Sequence, residues 1–296
     1  MPIPALLCIT LLAGLLWNVA RKYYTDRTSS ELSLSFIYNF VGCLVGTAVL
    51  LLMGGFGTAS GYTLWMGLAF GGLTALQMIA SIIAFRIGPM SYTSVFISFS
   101  TLISALSGVA FFGESLGWTQ YVGIPLMLVS FVLAVDKQGE DKGFSFTWLL
   151  LSLLSFFTTG GIGIMQKVHG SSVYKEEINA FLVIAFATSA VVCGLVSLLL
   201  YFKEKKAGAT YNCRALPFLI GTMVVGGASI AVANKLNLYL AGAMESAVFF
   251  PLVNGGGLVL TTLSALLLFR ERLTKKKWVG LFLGIASVVC LCLPSA

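Results

Sequence analysis

The sequence between Leu32 and Phe85 contains no charged residue, a run of 54 residues. Such a run is too long for one buried helix, and it is long enough to cross a bilayer twice at about 20 residues per crossing. Only 10% of the chain is charged, against about 25% in an ordinary soluble domain. The chain is therefore predicted to fold in lipid, where helices satisfy their own backbone hydrogen bonds.

Glycines and small polar residues divide the apolar sequence into segments, as in the turn-like stretch 54–62 inside the uncharged run. The segments are continuously apolar, which is typical of membrane helices and differs from the alternating pattern of a membrane barrel. We therefore expect an all-α integral membrane protein with ten transmembrane helices. The predicted spans cover roughly residues 2–20, 33–53, 63–85, 91–112, 118–135, 146–166, 178–202, 216–240, 244–269 and 277–294.

Two parts of the chain resemble each other. At a constant offset of 157, residues 112–132 match residues 269–289 at eight of 21 positions, which include a glutamate (Glu114 and Glu271) and a glycine (Gly123 and Gly280). Upstream, residues 84–90 align with residues 238–244 at an offset of 154. We therefore expect two duplicated five-helix repeats, 1–138 and 143–296, which together form one domain.

The distribution of basic residues predicts the topology of these repeats. Five spans are an odd number, so the second repeat is expected to enter the membrane from the opposite side, as an inverted-topology repeat. The odd-numbered loops hold 15 of the 18 lysines and arginines, and short basic loops stay in the cytoplasm. The basic loop 270–277 is therefore predicted to face the cytoplasm, the related loop 113–120 to face outward, and both termini to lie outside a cell membrane.

These features are similar to those of the EamA-type carriers of the drug/metabolite transporter superfamily. The resemblance rests on GES and YVG (113–115 and 121–123), RERL and WVG (270–273 and 278–280), and LLWN (15–18). Two features depart from the family: the proline often found 13 residues before the loop glutamate is Thr101 or Leu258 here, and familiar members are drawn with both termini inside.

The resemblance implies a secondary active transporter that moves a small organic metabolite by alternating access at a central cavity between the repeats. A passive channel or a structural or scaffolding membrane protein is the alternative. An enzyme is not expected, because the chain has one histidine and no HExxH or P-loop motif. Six cysteines without a CxxC pair predict small buried side chains, so no metal or cofactor is expected.

Lys235 is the first candidate for the binding of cargo, since a charge inside a span is costly unless it is paired or wet. Three interpretations are open. The side chain of Lys235 faces a cavity and binds an anionic group, or its aliphatic part extends to the membrane interface, or its ammonium group pairs with Glu245. The partners expected from this chemistry are the bilayer, an anionic or zwitterionic small molecule, and a proton or counter-metabolite. Nucleic acid is not expected, and monomer and homodimer both stay open.

Glu245 begins the ninth span, where it serves as a solvated helix cap or as a site of proton coupling. In the same span, Pro251 precedes Gly255, Gly256 and Gly257, a sequence that is weak as helix. A break there would suit a carrier site formed by an interrupted helix, and close packing against a neighbouring helix is the equally weighted alternative.

Uncharged polar side chains supply the remaining candidates for a cavity. Such side chains bind ligands through directional hydrogen bonds, but they also join membrane helices to each other. Trp17 is either an interfacial aromatic residue or a wall of the cavity. The polar candidates are Asn18, Gln77, Asn234 and Asn254.

Overall fold

The computed structural model describes residues 2–28, 31–134, 145–209, 216–268 and 274–293. These residues are almost all helical, and no strand occurs among them. Several residues that carry the topology prediction lie outside the described ranges. They are Lys137, Lys142, Arg214, the RERL segment (270–273) and Ala296.

The described residues form eleven α-helices and one short 3₁₀ helix, Lys175–Glu177. The α-helices are α1 (Ile3–Thr25), α2 (Leu32–Gly54), α3 (Gly61–Ile87), α4 (Met90–Phe99), α5 (Thr101–Phe112), α6 (Trp118–Ala134), α7 (Phe146–Gly170), α8 (Ile178–Lys206), α9 (Leu216–Ala243), α10 (Ser246–Leu267) and α11 (Lys275–Cys292).

Eight helical segments of the described residues are long and apolar enough to cross a membrane, with α4 and α5 counted as parts of one segment. The chain is therefore a multi-pass membrane protein, and the prediction of an all-helical membrane fold is confirmed. The two remaining predicted spans correspond to α6, which is 17 residues long, and α11, which begins with three lysines. The number of ten spans stays a prediction.

The predicted fourth span, 91–112, is divided into α4 and α5 at Ser100. The Ser100 N–H donates to the Ile97 carbonyl at 3.2 Å, the spacing of a tight 3₁₀ turn. A turn of this kind within a helix marks a local change of winding, and it lies at the middle of the predicted span.

The chain forms two compact units, and each takes helices from both predicted repeats. The first unit contains Met1–Ala75 and Ser172–Tyr239. In it, α2 and α8 pack together: Ser197 Oγ donates to the Ser33 carbonyl (3.2 Å) and Asn179 Nδ2 to the Leu50 carbonyl (3.0 Å). Ser197, late in α8, contacts the start of α2, and Asn179, early in α8, contacts the end of α2. The two helices are therefore antiparallel.

The second unit contains Leu76–Ser171 and Leu240–Ala296. Here α6 and α11 pack through two matching hydrogen bonds of 2.7 Å. Ser130 Oγ donates to the Gly280 carbonyl, and Ser287 Oγ donates to the Gly123 carbonyl. This reciprocal pattern makes the two helices antiparallel, with equivalent contacts on both sides.

Candidate functional site

A buried ion pair lies where α5, α7, α9 and α10 end or begin in the second unit. Lys167 Nζ is 2.7 Å from Glu114 Oε1, and only 7% and 11% of the two side chains are exposed. Glu114 also accepts hydrogen bonds from the Ser246 N–H (2.7 Å) and hydroxyl (3.3 Å). Lys167 donates in addition to the Met244 carbonyl (2.7 Å), so each ion has a second partner.

The surroundings of the pair explain how two charges are accommodated out of water. Burial of an ion costs several kcal/mol, and the cost is offset only when good geometry and further hydrogen bonds satisfy both partners. Ser246 is the first residue of α10, so the carboxylate also lies at the positive end of that helix. Gly108 of α5 lies against Glu114 and Ser246, and a Cβ there would overlap both side chains.

Sequence reasoning missed this pair, because the predicted sixth span ended at residue 166 and left Lys167 in a loop. In the structure α7 continues to Gly170, and His169, which was expected in a loop, is fully buried. Within this last turn of α7, the ammonium group of Lys167 contacts the carboxylate and a carbonyl. The repeated Glu114 and Glu271 were the signal that could have identified the carboxylate.

Glu245 lies at the N-terminus of α10, where the sequence placed it. It is the N-cap residue of α10, but its side chain is exposed and makes no capping hydrogen bond. The capping carboxylate comes from Glu114 instead, 132 residues away in sequence. Glu245 therefore lies at the helix N-terminus as a solvated charge, and its roles as a helix cap and in proton coupling both stay predictions.

Two glutamates cap helices in the same way in the first unit. Glu204, at the end of α8, accepts from the N–H groups of Leu32 (2.9 Å) and Ser33 (3.2 Å) and from the Ser33 hydroxyl. Glu177 accepts from the N–H (2.9 Å) and hydroxyl (2.8 Å) of Ser60, which precedes α3. Helix N-termini leave N–H groups unpaired, and these distant carboxylates satisfy them.

Lys235, in the first unit, bonds to a side chain that sequence reasoning did not single out. Its Nζ donates to Asn179 Oδ1 at 2.9 Å, and Asn179 Nδ2 donates to the carbonyls of Leu50 and Gly55. The half-buried amine therefore lies beside the end of α2 and the start of α8. This geometry favours the interpretation in which the lysine stem reaches towards the ends of the helices.

The predicted break in the ninth span is absent, since α10 is continuous from Ser246 to Leu267 with Pro251 inside it. Gly255 and Gly256 are buried, and a Cβ on Gly255 would lie 3.4 Å from Met127 of α6. The glycines therefore allow close packing, which was the alternative interpretation. Gly257 is half-buried with open space beside its Cα.

The other predicted polar residues do not form one cluster within either unit. Asn254 is exposed and donates to Thr101 Oγ1 (2.8 Å), next to the turn at Ser100. Asn234 donates to the Ile230 carbonyl of its own helix (2.9 Å). Asn18 is exposed and Gln77 is half-buried, the former in the first unit and the latter in the second.

Trp17 packs inside the first unit. Its ring centroid lies 5.0 Å from that of Tyr38, and its ring would touch a Cβ at Gly42. Tyr24, Tyr38, Leu219 and Met223 are buried together beside it. The half-buried indole is therefore part of an aromatic cluster, and its place in a cavity wall is not decided by these contacts.

Comparison with known proteins supports the fold and leaves the activity open. No family model matches the chain. An uncharacterized protein of Haemophilus influenzae is 25% identical over 200 residues, which cover 65% of this chain and 62% of that protein. A protein of known crystal structure superposes with a TM-score of 0.76 at 15% identity, over 99% of this chain and 98% of the other, so the two share a fold.

Proposed function

We propose that the protein is a secondary active transporter that moves a small organic metabolite across the cell membrane by alternating access. The cargo would bind in a central cavity between two inverted five-helix repeats, as in the EamA-type carriers that the sequence resembles. A passive channel or a scaffolding membrane protein of the same fold is the alternative, and an enzyme is not proposed.

The observation that carries the proposal is the reciprocal pair of hydrogen bonds between α6 and α11. Ser130 and Ser287, like Gly123 and Gly280, are equivalent positions of the sequence repeat at its offset of 157. Each serine bonds to the glycine of the other helix at 2.7 Å. When the serine of each helix contacts the equivalent glycine of the other, the two helices are related by a two-fold axis.

Two further helix pairs support the same symmetry. The second and seventh predicted spans, α2 and α8, are antiparallel neighbours, as described above. The fourth and ninth spans are also antiparallel: Thr101 of α5 meets Asn254 of α10, and Glu114 after α5 meets Ser246 at the start of α10. Equivalent helices that pack in opposite directions are expected of inverted repeats, which are widespread among secondary carriers.

The turn at Ser100 supplies a feature suited to alternating access. Discontinuous helices near the middle of the membrane commonly form the sites of carriers, because irregular backbone there exposes polar groups. The Asn254 amide and the Thr101 hydroxyl lie beside this turn and bond to each other at 2.8 Å. An ion gradient or a counter-metabolite would drive transport. The loop charges predict that both termini lie outside.

Counterflow in proteoliposomes tests the proposal. Vesicles containing the purified protein are loaded with a millimolar unlabelled metabolite and diluted into a trace of the same labelled compound, across a panel of acids, amino acids and nucleosides. A carrier gives transient, saturable accumulation of at least one compound, and protein-free vesicles give none. Unitary currents in planar bilayers would instead identify a channel, and vesicles with neither activity would remove the transport proposal.

A further inference from the structure

An arginine of α1 lies on an aromatic stripe inside the first unit. Trp17, Arg21 and Tyr24 are four and three residues apart, so they share one face of the helix. The two flanking rings both contact Tyr38 of α2, with centroid distances of 5.0 Å for Trp17 and 4.9 Å for Tyr24. Arg21 is half-buried on the same face of α1, between the two residues whose rings contact Tyr38.

The hydroxyl of Tyr38 lacks an acceptor. The residue is 1% exposed, and its oxygen has no hydrogen-bond partner in the described part of the chain. The neighbouring Tyr24 is equally buried, but its hydroxyl donates to the Leu34 carbonyl at 3.0 Å. A buried hydroxyl without a partner costs about 1–3 kcal/mol, so an acceptor is expected from elsewhere.

Arg21 is a half-buried cation without a carboxylate partner among the described residues, whereas other cations of the protein have identified contacts. Lys167 pairs with Glu114, Lys235 bonds to Asn179, and Arg27 lies 4.6 Å from the Phe218 ring centroid. For Arg21, no carboxylate among the residues that the structure describes plays such a role. A guanidinium cannot lose its charge, and its planar set of donors matches the oxygens of a carboxylate or phosphate.

We propose that Arg21 and the Tyr38 hydroxyl bind the oxyanion of the cargo, a carboxylate or a phosphate. The guanidinium donates to two oxygens of the anion, and the phenol supplies a third donor. This inference rests on the proposed transport function and defines the charge of its cargo. It assigns to Arg21 the anion-binding role that the sequence first suggested for Lys235.

Gly226 of α9 shapes the third side of this site. A Cβ at Gly226 would overlap the Tyr38 hydroxyl and lie 3.2 Å from the Trp17 ring. The absence of a side chain therefore leaves the phenol oxygen in contact with the backbone of α9. A Gly226→Ala substitution would displace the hydroxyl, and it is expected to weaken anion binding without any change of charge.

Isothermal titration of purified protein in phospholipid-free detergent tests the site, with inorganic phosphate, pyruvate and glutamate as probes and choline chloride as the cationic control, all at equal ionic strength. At least one anion should bind to the wild type. Arg21→Gln and Tyr38→Phe should each weaken that binding about tenfold or more, as expected for a charge-assisted hydrogen bond. Arg21→Lys keeps the charge but loses the planar pair of donors, so it should bind more weakly than the wild type and more tightly than Arg21→Gln.

The matched controls are Tyr24→Phe, which removes the satisfied hydroxyl of the same cluster, and Lys235→Gln. Both should bind the anion as the wild type does. Full binding by Arg21→Gln and Tyr38→Phe, loss of binding only in Lys235→Gln, or no binding of any anion would each overturn the proposal. Unchanged melting temperatures and elution volumes of the unliganded variants establish that they are folded.

A phospholipid headgroup carries the same oxyanion chemistry, so a second titration uses micelles that contain phosphatidylglycerol. Binding of these micelles that depends on Arg21, without binding of a soluble anion, would identify a lipid site and refute a cargo site. The outcome is separable from the transport proposal: saturable counterflow of an uncharged or cationic compound by the wild type would leave the carrier function intact and remove the anion site.

Discussion

Neutralisation of either member of the Glu114–Lys167 pair is predicted to have unequal effects on stability. Breaking a buried ion pair costs about 3–5 kcal/mol, because the remaining charge loses its partner. The structure shows that the two charged groups keep different contacts when the partner is neutralised. Without Lys167, the carboxylate keeps the Ser246 N–H and hydroxyl and the positive end of α10. Without the charge of Glu114, Lys167 keeps the Met244 carbonyl and the Phe112 ring, whose centroid lies 5.6 Å from Nζ, and it has no anion to face among these contacts.

These contacts give the expected magnitudes. Glu114→Gln should lower the free energy of unfolding by about 3–5 kcal/mol, since it leaves a buried ammonium near the positive end of a helix. Lys167→Met should lower it by about 1–3 kcal/mol, because a helix terminus stabilises an anion by up to about 2 kcal/mol. The double variant buries no charge and should be more stable than Glu114→Gln alone.

Unfolding by increasing mole fractions of sodium dodecyl sulfate in mixed micelles, followed by tryptophan fluorescence, measures all three variants. The exposed Lys175→Met serves as the matched control and should change stability by no more than about 0.5 kcal/mol. A double variant that is less stable than either single variant would refute the reasoning, and so would a larger loss for Lys167→Met than for Glu114→Gln.

Three further predictions follow from the helix pairs and the loop charges. In the same unfolding titration, Ser130→Ala and Ser287→Ala should each destabilise the protein by about 1 kcal/mol, because their hydrogen bonds are equivalent. A difference above about 1 kcal/mol between the two variants would contradict the two-fold relation. Lys235→Met should change stability by less than about 1 kcal/mol, since it removes one hydrogen bond of a half-buried amine, and a loss above about 3 kcal/mol would indicate a buried charge. A reporter active only in the cytoplasm should work when inserted at Lys205 and fail when fused after Ala296, and the opposite pattern would invalidate the charge-based topology.

The sequence predicted the helical membrane fold well because hydrophobic length is a local property. Continuous apolar runs identify membrane helices without knowledge of their neighbours. The position of a turn within a run is less local. Pro251 and the glycines after it suggested a break, yet α10 is continuous, whereas the turn at Ser100 lies within residues 90–107, which contain no glycine or proline. Packing of Gly255 against Met127 helps to stabilise a helix that the glycine propensity disfavours.

The candidate sites were harder to predict, because they depend on contacts between distant segments. Lys235 and Glu245 were identified as charges within spans, but their partners could not be inferred from spacing. The partners that matter in the structure are 56 residues apart for Lys235 and Asn179, and 132 residues apart for Glu114 and Ser246. The repeat was informative here, since it marked Glu114 as a conspicuous shared residue before its contact was known.

The distribution of strong and weak bonds within the helix pairs bears on how such a protein can move. The charged contacts lie at helix ends, where Glu204, Glu177 and Glu114 hold the start of α2, the residue before α3 and the start of α10. Along the helices, the contacts are single neutral bonds from serine, threonine or asparagine, which in membranes stabilise by only about 0.6–2 kcal/mol each. Because charge-assisted bonds are roughly twice as strong as neutral ones, the ends resist displacement more than the middles do. A change of shape is therefore expected to begin at the neutral contacts, such as that between Asn254 and Thr101 beside the Ser100 turn, while the glutamate caps keep the helix ends in place.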